Sequence, residues 1–273
     1  MKKSFPGFSF VLFVPLCDPN FCRVALDSRV VRIIMSKIAL ITGANRGLGL
    51  ETARQLARDH GFSVLLGARD ETKGLAAQTE LRSEGIDAHF VQLDVTDENS
   101  IARAASTIAQ EYGVVDVLVN NAGIMLEHNF QVGGVPGSDW KKTFDVNFFG
   151  VVDTTNAALP LLEKSDAPRI VNLSAILGSI TEISKPQMKI WIRASYSASK
   201  AALNAYTVSL AQEHANSKWK INAAHPGWAK TELGGPQAPM TPAQGVKTVV
   251  QLATLGEDGP NGGFFHVNKP MPW

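Results

Sequence analysis

The stretch ITGANRGLG, residues 41–49, joins an apolar run to a segment with helical periodicity. The run begins at Ile38 and continues to Thr42, and the periodic segment covers residues 47–58. Glycines at positions 43, 47 and 49 permit the tight turn that a chain needs between a buried strand and the helix packed on it. The stretch therefore predicts a strand, a glycine-rich turn and a helix, which is the opening unit of an α/β fold.

The same alternation continues to the C-terminus. Further apolar runs predict strands at residues 63–67, 88–93, 114–119, 169–174, 220–224 and 263–266, and helical patterns cover residues 71–84, 100–112, 140–162, 195–216 and 241–255. Strands that are apolar on both faces and alternate with helices form parallel sheets covered on each side. We therefore predict an α/β fold with a single doubly wound, Rossmann-type domain, whose mostly parallel sheet has about seven strands flanked by helices.

The composition fits one domain of this kind. The chain has 273 residues, of which 45% are hydrophobic and 19% charged, and its formal net charge is +1. No long basic run is present, so we predict neither nucleic acid nor a membrane as a partner. Both cysteines, Cys17 and Cys22, precede residue 36, so the main body offers no thiolate and we predict no metal site.

Residues 1–36 are predicted to be an N-terminal extension, and residues 37–273 the domain itself. Lys2 and Lys3 followed by an apolar run imitate a secretory signal, but Pro15 interrupts the run, which is too short to span a bilayer. We favour the alternative of an upstream segment before a natural start at Met35, because the remainder has the pattern of an intracellular nucleotide enzyme. We accordingly predict a cytoplasmic protein.

The glycine-rich turn has the chemistry of a dinucleotide site. Its backbone can approach a pyrophosphate and leave that charge at a helix N-terminus, although glycines there also serve as plain turn residues. In the strand–turn–helix context we interpret the turn as a dinucleotide site. The predicted contacts within it are Gly43, Asn45, Arg46, Gly47, Leu48 and Gly49.

Cations near the end of the second predicted strand favour NADP(H) over NAD(H). An NAD site needs a carboxylate there for the ribose hydroxyl, whereas this chain has Ala68 followed by Arg69, with Arg46 in the glycine-rich turn. Guanidinium groups suit a 2′-phosphate, and the alternative is that both arginines are solvated surface charges. Asp70 comes next, and we expect it to face the following helix.

Two more strand ends carry predicted cofactor contacts. Asp94 ends the third strand, where a carboxylate can accept a hydrogen bond from an adenine amine; a turn or N-cap role is the alternative. The motif NNAG, residues 120–123, ends the fourth strand, and its small residues let the backbone lie against a cofactor. We expect the Asn120 amide to join neighbouring strands, and Asn121, Ala122 and Gly123 to contact the cofactor.

Five motifs occur in one order along residues 37–273: TGANRGLG, NNAG, DVNFFG with Asn147, YSASK and HPGWAKTE. On these motifs the chain resembles the short-chain dehydrogenase/reductase superfamily. The ending GGFFHVNKPMPW, with Arg46 and Arg69, is similar to the NADPH-dependent carbonyl-reductase-like members. The resemblance implies an oxidoreductase that uses NADP(H) to reduce a ketone or aldehyde to an alcohol. It also implies a small-molecule carbonyl substrate, and it allows a homo-oligomer.

The resemblance also assigns roles to individual residues. Tyr196 would be the general acid, and Lys200, one helical turn further on, would hold the nicotinamide ribose and lower the pKa of the phenol, which is about 10 when free. Asn147 would anchor a water molecule leading to Lys200, and Thr231 would contact the nicotinamide carboxamide. The other implied cofactor contacts are Tyr196 and Lys200 themselves, Pro226 and Gly227.

One departure concerns the serine that orients the substrate carbonyl in the family. In VNLSAILGS the matching position is Ala175, and the preceding Ser174 points to the opposite face of a strand. A catalytic role for Ser174 therefore requires a twist or a register shift, and Ser179 is a weaker substitute. The alternative function is accordingly an NADP(H)-binding regulatory or weakly active protein.

Residues 181–194, TEISKPQMKIWIRA, exceed the compact form of the family. We interpret this stretch, with Met188 and Trp191, as a flap on the substrate side because it leads directly to Tyr196. The alternative is a surface excursion with two apolar anchors. The segment of residues 226–241 is short, which predicts an open cleft without a large lid. His225 is expected to be structural because no G-x-S-x-G serine accompanies it.

Overall fold

A computed structural model of the chain describes residues 36–127 and 133–273. The predictions for the N-terminal extension, including those on Cys17, Cys22 and Met35, lie outside the described residues. Within the described residues, strands and helices alternate along the chain. The strands are β1 Ile38–Thr42, β2 Ser63–Ala68, β3 Ala88–Gln92, β4 Val117–Asn120, β5 Arg169–Leu173, β6 Lys220–Ala224, β7 Phe264–His266 and β8 Lys269–Pro270. The α-helices are α1 Gly47–His60, α2 Glu71–Ser83, α3 Glu98–Glu111, α4 Gly137–Phe144, α5 Gly150–Leu162, α6 Ile180–Ile183, α7 Ala194–Glu213, α8 Pro242–Gly245 and α9 Lys247–Ala253.

The described strands form one eight-stranded sheet in the order β3-β2-β1-β4-β5-β6-β7-β8. Every pair is parallel except β7 with β8, which is antiparallel. The doubly wound, mostly parallel fold is therefore confirmed, with one strand more than the seven expected. The additional strand has two residues and includes Pro270, and such a short edge strand carries no periodic signal.

The sheet is buried because its strands are apolar on both faces. All residues of β1, β2, β4 and β5 are buried, and helices supply the covering side chains. Leu56 of α1 and Leu81 of α2 are completely buried in the same core as Val249 of α9. This packing leaves the carboxyl ends of the strands as the edge on which a ligand can bind.

The long helix predicted for residues 140–162 is present but has an irregular centre. α4 continues through a π-helical turn, Asp145–Phe149, into α5. A π-turn adds a residue to one helical turn and often lies at a functional site. Asn147 lies in this turn.

The predicted role of Asn120 is confirmed. Its Nδ2 donates to Asn172 Oδ1 at 2.9 Å across β4 and β5 and to Thr155 Oγ1 at 3.0 Å on α5. Asn172 Nδ2 in turn donates to Thr207 Oγ1 at 2.9 Å on α7. This buried polar chain ties α5 and α7 to the centre of the sheet.

Candidate active site

A cleft of about 830 Å³ lies at the carboxyl ends of the strands. Every cofactor contact predicted from the sequence lines it, and so do Ser174 and Ala175. The fold therefore brings together segments that are separated by up to about 190 residues in the chain. The lining residues among the predictions are Gly43, Asn45, Arg46, Gly47, Leu48, Gly49, Arg69, Asp94, Asn121, Ala122, Gly123, Tyr196, Lys200, Pro226, Gly227 and Thr231.

The glycine-rich turn is packed too tightly for side chains. Gly43 has a φ of +63°, and a Cβ on Gly49 would lie 2.5 Å from both Asn121 Nδ2 and the Gly43 carbonyl oxygen. Asn121 Nδ2 donates to the Thr42 carbonyl at 2.7 Å, which fixes the turn against the end of β4. Glycine is needed here for close backbone approach and not simply for flexibility.

The turn also ends at an uncapped helix. Arg46 is the N-cap of α1 and has extended backbone, and within the described residues no side chain caps this 14-residue helix. First-turn amide groups that lack a side-chain partner are suited to a phosphate anion. The cradle and the uncapped helix together fit a dinucleotide pyrophosphate.

The two arginines expected at a 2′-phosphate have different surroundings. Arg69 is exposed at the edge of the cleft and makes no ion pair among the described residues. Arg46 forms an ion pair with Glu232, and both side chains are largely exposed. Exposed ion pairs contribute little free energy, so a phosphate can displace Glu232.

The carboxylates near these arginines have structural partners. Asp70 caps α2 by accepting from the Lys73 amide at 3.0 Å, which confirms that it faces the following helix. Asp94 Oδ1 accepts from the Thr96 amide at 3.0 Å and from Thr96 Oγ1 at 2.8 Å. The turn role that was the alternative for Asp94 is therefore present, and adenine contact by its other oxygen stays a prediction.

Tyr196 and Lys200 lie one turn apart on α7, and both are buried. Lys200 Nζ is 5.8 Å from the centre of the Tyr196 ring and donates to the Leu173 carbonyl at 2.6 Å. Burial lowers the pKa of Lys200 to about 8, because the charged amine loses hydration. Burial raises the pKa of Tyr196 to about 12, for the corresponding reason.

In the protein without cofactor, the pKa of Tyr196 is shifted in the direction opposite to the lowering that we expected from Lys200 one turn away. In the protein by itself, burial disfavours the charged phenolate. The phenol is therefore held protonated, which is the form that a general acid requires. Lowering of its pKa by Lys200 stays a prediction for the cofactor complex.

Asn147 is completely buried beside the motif that ends β4. Its Oδ1 accepts from the Ile124 amide at 2.8 Å, and its Nδ2 donates to the Ile124 carbonyl at 2.9 Å and to Ser199 Oγ at 3.1 Å. A Cβ on Gly123 would lie 3.4 Å from Asn147 Oδ1 and 3.6 Å from Lys200 Nζ. Both side chains thus flank Gly123, and the water relay between them stays a prediction.

Ser174 lines the cleft, but its hydroxyl is engaged by a neighbouring side chain. Its Oγ donates to Asn204 Oδ1 of α7 at 2.6 Å, and only 2% of the residue is exposed. Asn204 Nδ2 donates to the Gly178 carbonyl at 3.1 Å, so the amide orientation is fixed. Ser179 is also buried and caps α6 by accepting from the Glu182 amide at 3.1 Å. The structure thus offers no substitute hydroxyl from either serine.

The stretch before Tyr196 contacts the far side of the cleft. It forms α6 and a 3₁₀ helix, Pro186–Trp191, and the Trp191 ring lies edge-on to Trp228 with centroids 5.4 Å apart. Trp228 lines the cleft and donates from Nε1 to the Gly234 carbonyl at 2.7 Å. This contact favours the flap interpretation over the surface excursion.

His225 has the structural role that was expected. Its Nδ1 accepts from the Ile176 amide at 3.3 Å, and its ring lies 4.7 Å from that of His266. Burial and the neighbouring imidazole lower the pKa of His225 to about 3, which keeps the ring neutral.

Sequence reasoning missed Glu127. This residue follows the NNAG motif by four positions, yet its carboxylate accepts hydrogen bonds from the first turn of α7, 68 and 69 residues away. A lone glutamate in a loop has no distinguishing pattern, and only the fold shows its partners.

Comparisons with known proteins agree with this geometry. Residues 37–241 match the family described as short chain dehydrogenase. The chain is 34% identical to short-chain dehydrogenase/reductase 1 of Saponaria officinalis, over 88% of this chain and 97% of that protein. It is 31% identical to carbonyl reductase [NADPH] 1 of Mus musculus, over 86% of this chain and 98% of that protein.

A solved structure gives the same result. The crystal structure of NADPH-bound carbonyl reductase from chicken fatty liver aligns with a TM-score of 0.77 and 30% identity, over 87% of this chain and 99% of that one. Across the described residues, every helix is too short or too polar to cross a bilayer.

Proposed function

This chain belongs to the short chain dehydrogenase family, and from that premise we propose that it reduces a ketone or an aldehyde to an alcohol with NADPH. It is an NADP(H)-dependent oxidoreductase, in agreement with relatives named as NADPH carbonyl reductases and with the NADPH-bound structure. The observation that carries the proposal is a buried Tyr196–Lys200 pair lining the same cleft as the glycine-rich turn.

Several groups of the cleft fit the cofactor. The cradle formed by Gly43 and Gly49 would hold the pyrophosphate, and Arg46 and Arg69 would bind the 2′-phosphate. Asp94 would accept from the adenine, and Lys200 and Thr231 would hold the ribose and the carboxamide of the nicotinamide half. When bound, the cofactor supplies the hydride.

The protein's own residues contribute one proton transfer to the reaction. Tyr196 donates its hydroxyl proton to the carbonyl oxygen as negative charge develops there, and Lys200 stabilises the phenolate that results. The raised pKa of Tyr196, about 12, means that this proton is present throughout the physiological range. Asn147 keeps the end of β4 in place beside Lys200.

The substrate side of the cleft is apolar. Ile124, Val146, Ala175, Trp228 and Leu233 line it, and the last two side chains are 43% exposed. We propose that the substrate is a small, fairly apolar carbonyl compound, since few polar groups are available to compensate for burying a charged one.

A second candidate function rests on Ser174 and Ala175. Without a hydroxyl at position 175, the developing oxyanion loses a donor, and comparable deletions cost about 2.7–4 kcal/mol. Ser174 is held by Asn204 and offers no replacement. The second candidate is therefore an NADP(H)-binding regulatory protein with very slow turnover.

An Ala175→Ser variant separates the two candidates. NADPH oxidation with a panel of ketones and aldehydes is measured for wild type and variant, and NADPH binding is measured by fluorescence. The enzyme interpretation predicts turnover by the wild type and about a hundredfold increase in the variant. Ala175→Cys is the matched control, because sulfur fills similar space but donates weakly, so we expect a change below about threefold. If both proteins bind NADPH and neither consumes it, the second candidate is correct.

A further inference from the structure

A buried carboxylate caps the helix that carries Tyr196. Glu127 is 7% exposed, and its Oε1 accepts from the Ser195 amide at 3.1 Å. Its Oε2 accepts from Ser195 Oγ and from the Tyr196 amide, both at 3.1 Å. Ser195 Oγ also lies 3.2 Å from Thr143 Oγ1 of α4. Three donors converge on the carboxylate, which matches its ionised, acceptor-only form.

This cap comes from a distant segment of the chain. The N-cap residue of α7, Arg193, has extended backbone and makes no side-chain cap. The amides of Ser195 and Tyr196 would otherwise be buried without a partner, which costs about 1–3 kcal/mol each. Glu127 lies in the segment after β4, so one side chain joins the NNAG end of the sheet to the turn that presents the phenol.

We propose that Glu127 is a positioning residue for Tyr196, which fixes the catalytic turn of α7 and so holds the phenol in place for reduction. The proposal rests on the proposed function, because it concerns how the general acid is held. Two effects follow from the contacts. The hydrogen bonds fix the Tyr196 backbone, and the negative charge disfavours a second negative charge on the phenolate.

We expect the negative charge of Glu127 to raise the pKa of Tyr196. The N-terminus of a helix favours anions, so the first turn of α7 by itself would stabilise a phenolate, and Glu127 opposes that field. Among the described residues, the other charged groups on this helix turn or next to it include Lys200 of α7 and Arg193 at its start. α4 and the π-turn contribute Lys141 and Asp145, which are paired with each other at 2.9 Å. His225, after β6, is neutral. Loss of the Glu127 charge should therefore lower the pKa of Tyr196.

The principal variant is Glu127→Gln, which removes the charge and keeps the shape. We expect kcat for carbonyl reduction to fall about tenfold or more, because small displacements of an acid have large kinetic effects. We expect the KM for NADPH to change by less than about threefold. The alkaline limb of the kcat profile should move to lower pH by about half a unit.

Two further variants keep the test decisive. Asp97→Asn is the matched control, because Asp97 caps α3 by accepting from the Asn99 amide at 3.0 Å and does not line the cleft. Asn caps a helix about as well as Asp, so this variant should change stability little and leave the pH profile unmoved. Ser195→Ala removes one of the three donors to Glu127 but keeps the carboxylate charge, so it should lower kcat to a smaller extent and leave the pH profile unmoved, which tests the positioning effect even if Glu127→Gln folds poorly.

A measurement independent of turnover distinguishes this proposal from the proposed function. The absorbance of tyrosinate is titrated in complexes with NADP⁺, and the signal of Tyr196 is taken as the difference from the corresponding Tyr196→Phe protein. A lower Tyr196 pKa in Glu127→Gln supports the proposal even if the wild type has no measurable turnover. An unmoved Tyr196 pKa in Glu127→Gln, or a loss of kcat that only follows the loss of folded protein, overturns it.

Discussion

Burial determines the direction of the pKa shifts of two residues of this cleft, Lys200 and Tyr196. Lys200 is 4% exposed and Tyr196 is 8% exposed, so each is shifted towards its neutral form. At neutral pH, however, Lys200 remains largely protonated, because its pKa of about 8 is still above 7. The pair therefore consists of an ammonium group and a phenol, which is the state that reduction requires.

Arg69 provides the sharpest test of the cofactor preference. Removing its guanidinium in Arg69→Ala should raise the KM for NADPH about tenfold or more, because hydrogen bonds to a charged partner contribute about 1.5–3 kcal/mol. The KM for NADH should stay within about twofold, since NADH has no 2′-phosphate. Steady-state kinetics with both cofactors measure the difference.

The control for this prediction is Arg103→Ala. Arg103 is an exposed arginine of α3 whose side chain is 71% accessible, and it does not line the cleft. Its removal changes net charge equally but should affect neither cofactor. If Arg69→Ala raised both KM values alike, the role assigned to Arg69 would be wrong.

Residue identity could be predicted at this scale, but partners could not. Tyr196, Lys200 and the glycines follow from short motifs, and all of them line the cleft. The partners of Ser174 and Glu127 depend on which elements pack together. The sequence therefore could not identify Asn204 and Ser195 as their hydrogen-bond partners. The raised pKa of Tyr196 in the protein without cofactor could not be predicted for the same reason, because burial is a property of the fold.

At the scale of elements, we expect the stretch between β5 and α7 to determine access to the substrate. Its 3₁₀ helix places Trp191 against Trp228, so the stretch reaches across the cleft from Tyr196. The two rings form an edge-to-face contact of a kind that contributes about 0.5–1.5 kcal/mol. This single contact is what we expect to place the stretch against a bound substrate.

Trp191→Ala tests the flap interpretation. Loss of the ring should raise the KM for an apolar carbonyl substrate about threefold to tenfold and leave the KM for NADPH unchanged, because the contact is on the substrate side. Ile190→Ala is the control, since Ile190 is 57% exposed in the same 3₁₀ helix. Equal KM values for wild type and Trp191→Ala would favour the surface excursion instead.

Element type was easier to predict than element ends. β1 and β6 have the predicted bounds; β1 lies between Lys37 and the glycine-rich turn, and the apolar part of β6 lies between Lys220 and His225. The start of β4 was placed three residues early, at residue 114 and not at Val117, because the apolar run begins before the strand pairs with β1. The π-turn could not be predicted, because helical periodicity of 3.6 residues does not distinguish a local insertion.

At the scale of the whole molecule, burial of the charged Lys200 amine lowers the free energy of unfolding. The folded pKa of Lys200, about 8, is below its ordinary value of 10.5, so below pH 8 folding requires a charged amine to be buried. Between these pH values the unfolded chain holds more protons, and stability therefore rises with pH. The predicted catalytic role of Lys200 therefore comes with a cost in stability.

Lys200→Met should accordingly be more stable than the wild type at pH 7 while losing activity. We expect a gain in the free energy of unfolding on the order of 2 kcal/mol, after allowing for the lost hydrogen bond to the Leu173 carbonyl. The gain should be full below pH 8 and shrink as the pH rises towards 10.5. Urea unfolding of both proteins at several pH values measures it, and a variant less stable than wild type at pH 7 would refute the stated cost.

The central claim is that Tyr196 delivers the proton in an NADPH-dependent reduction. The most direct test is single-turnover oxidation of bound NADPH by wild type and Tyr196→Phe, at equal occupancy of the cofactor and with the same carbonyl substrate. The account predicts that Tyr196→Phe binds NADPH normally and oxidises it at least about a hundredfold more slowly. Oxidation at the wild-type rate by Tyr196→Phe would contradict the account.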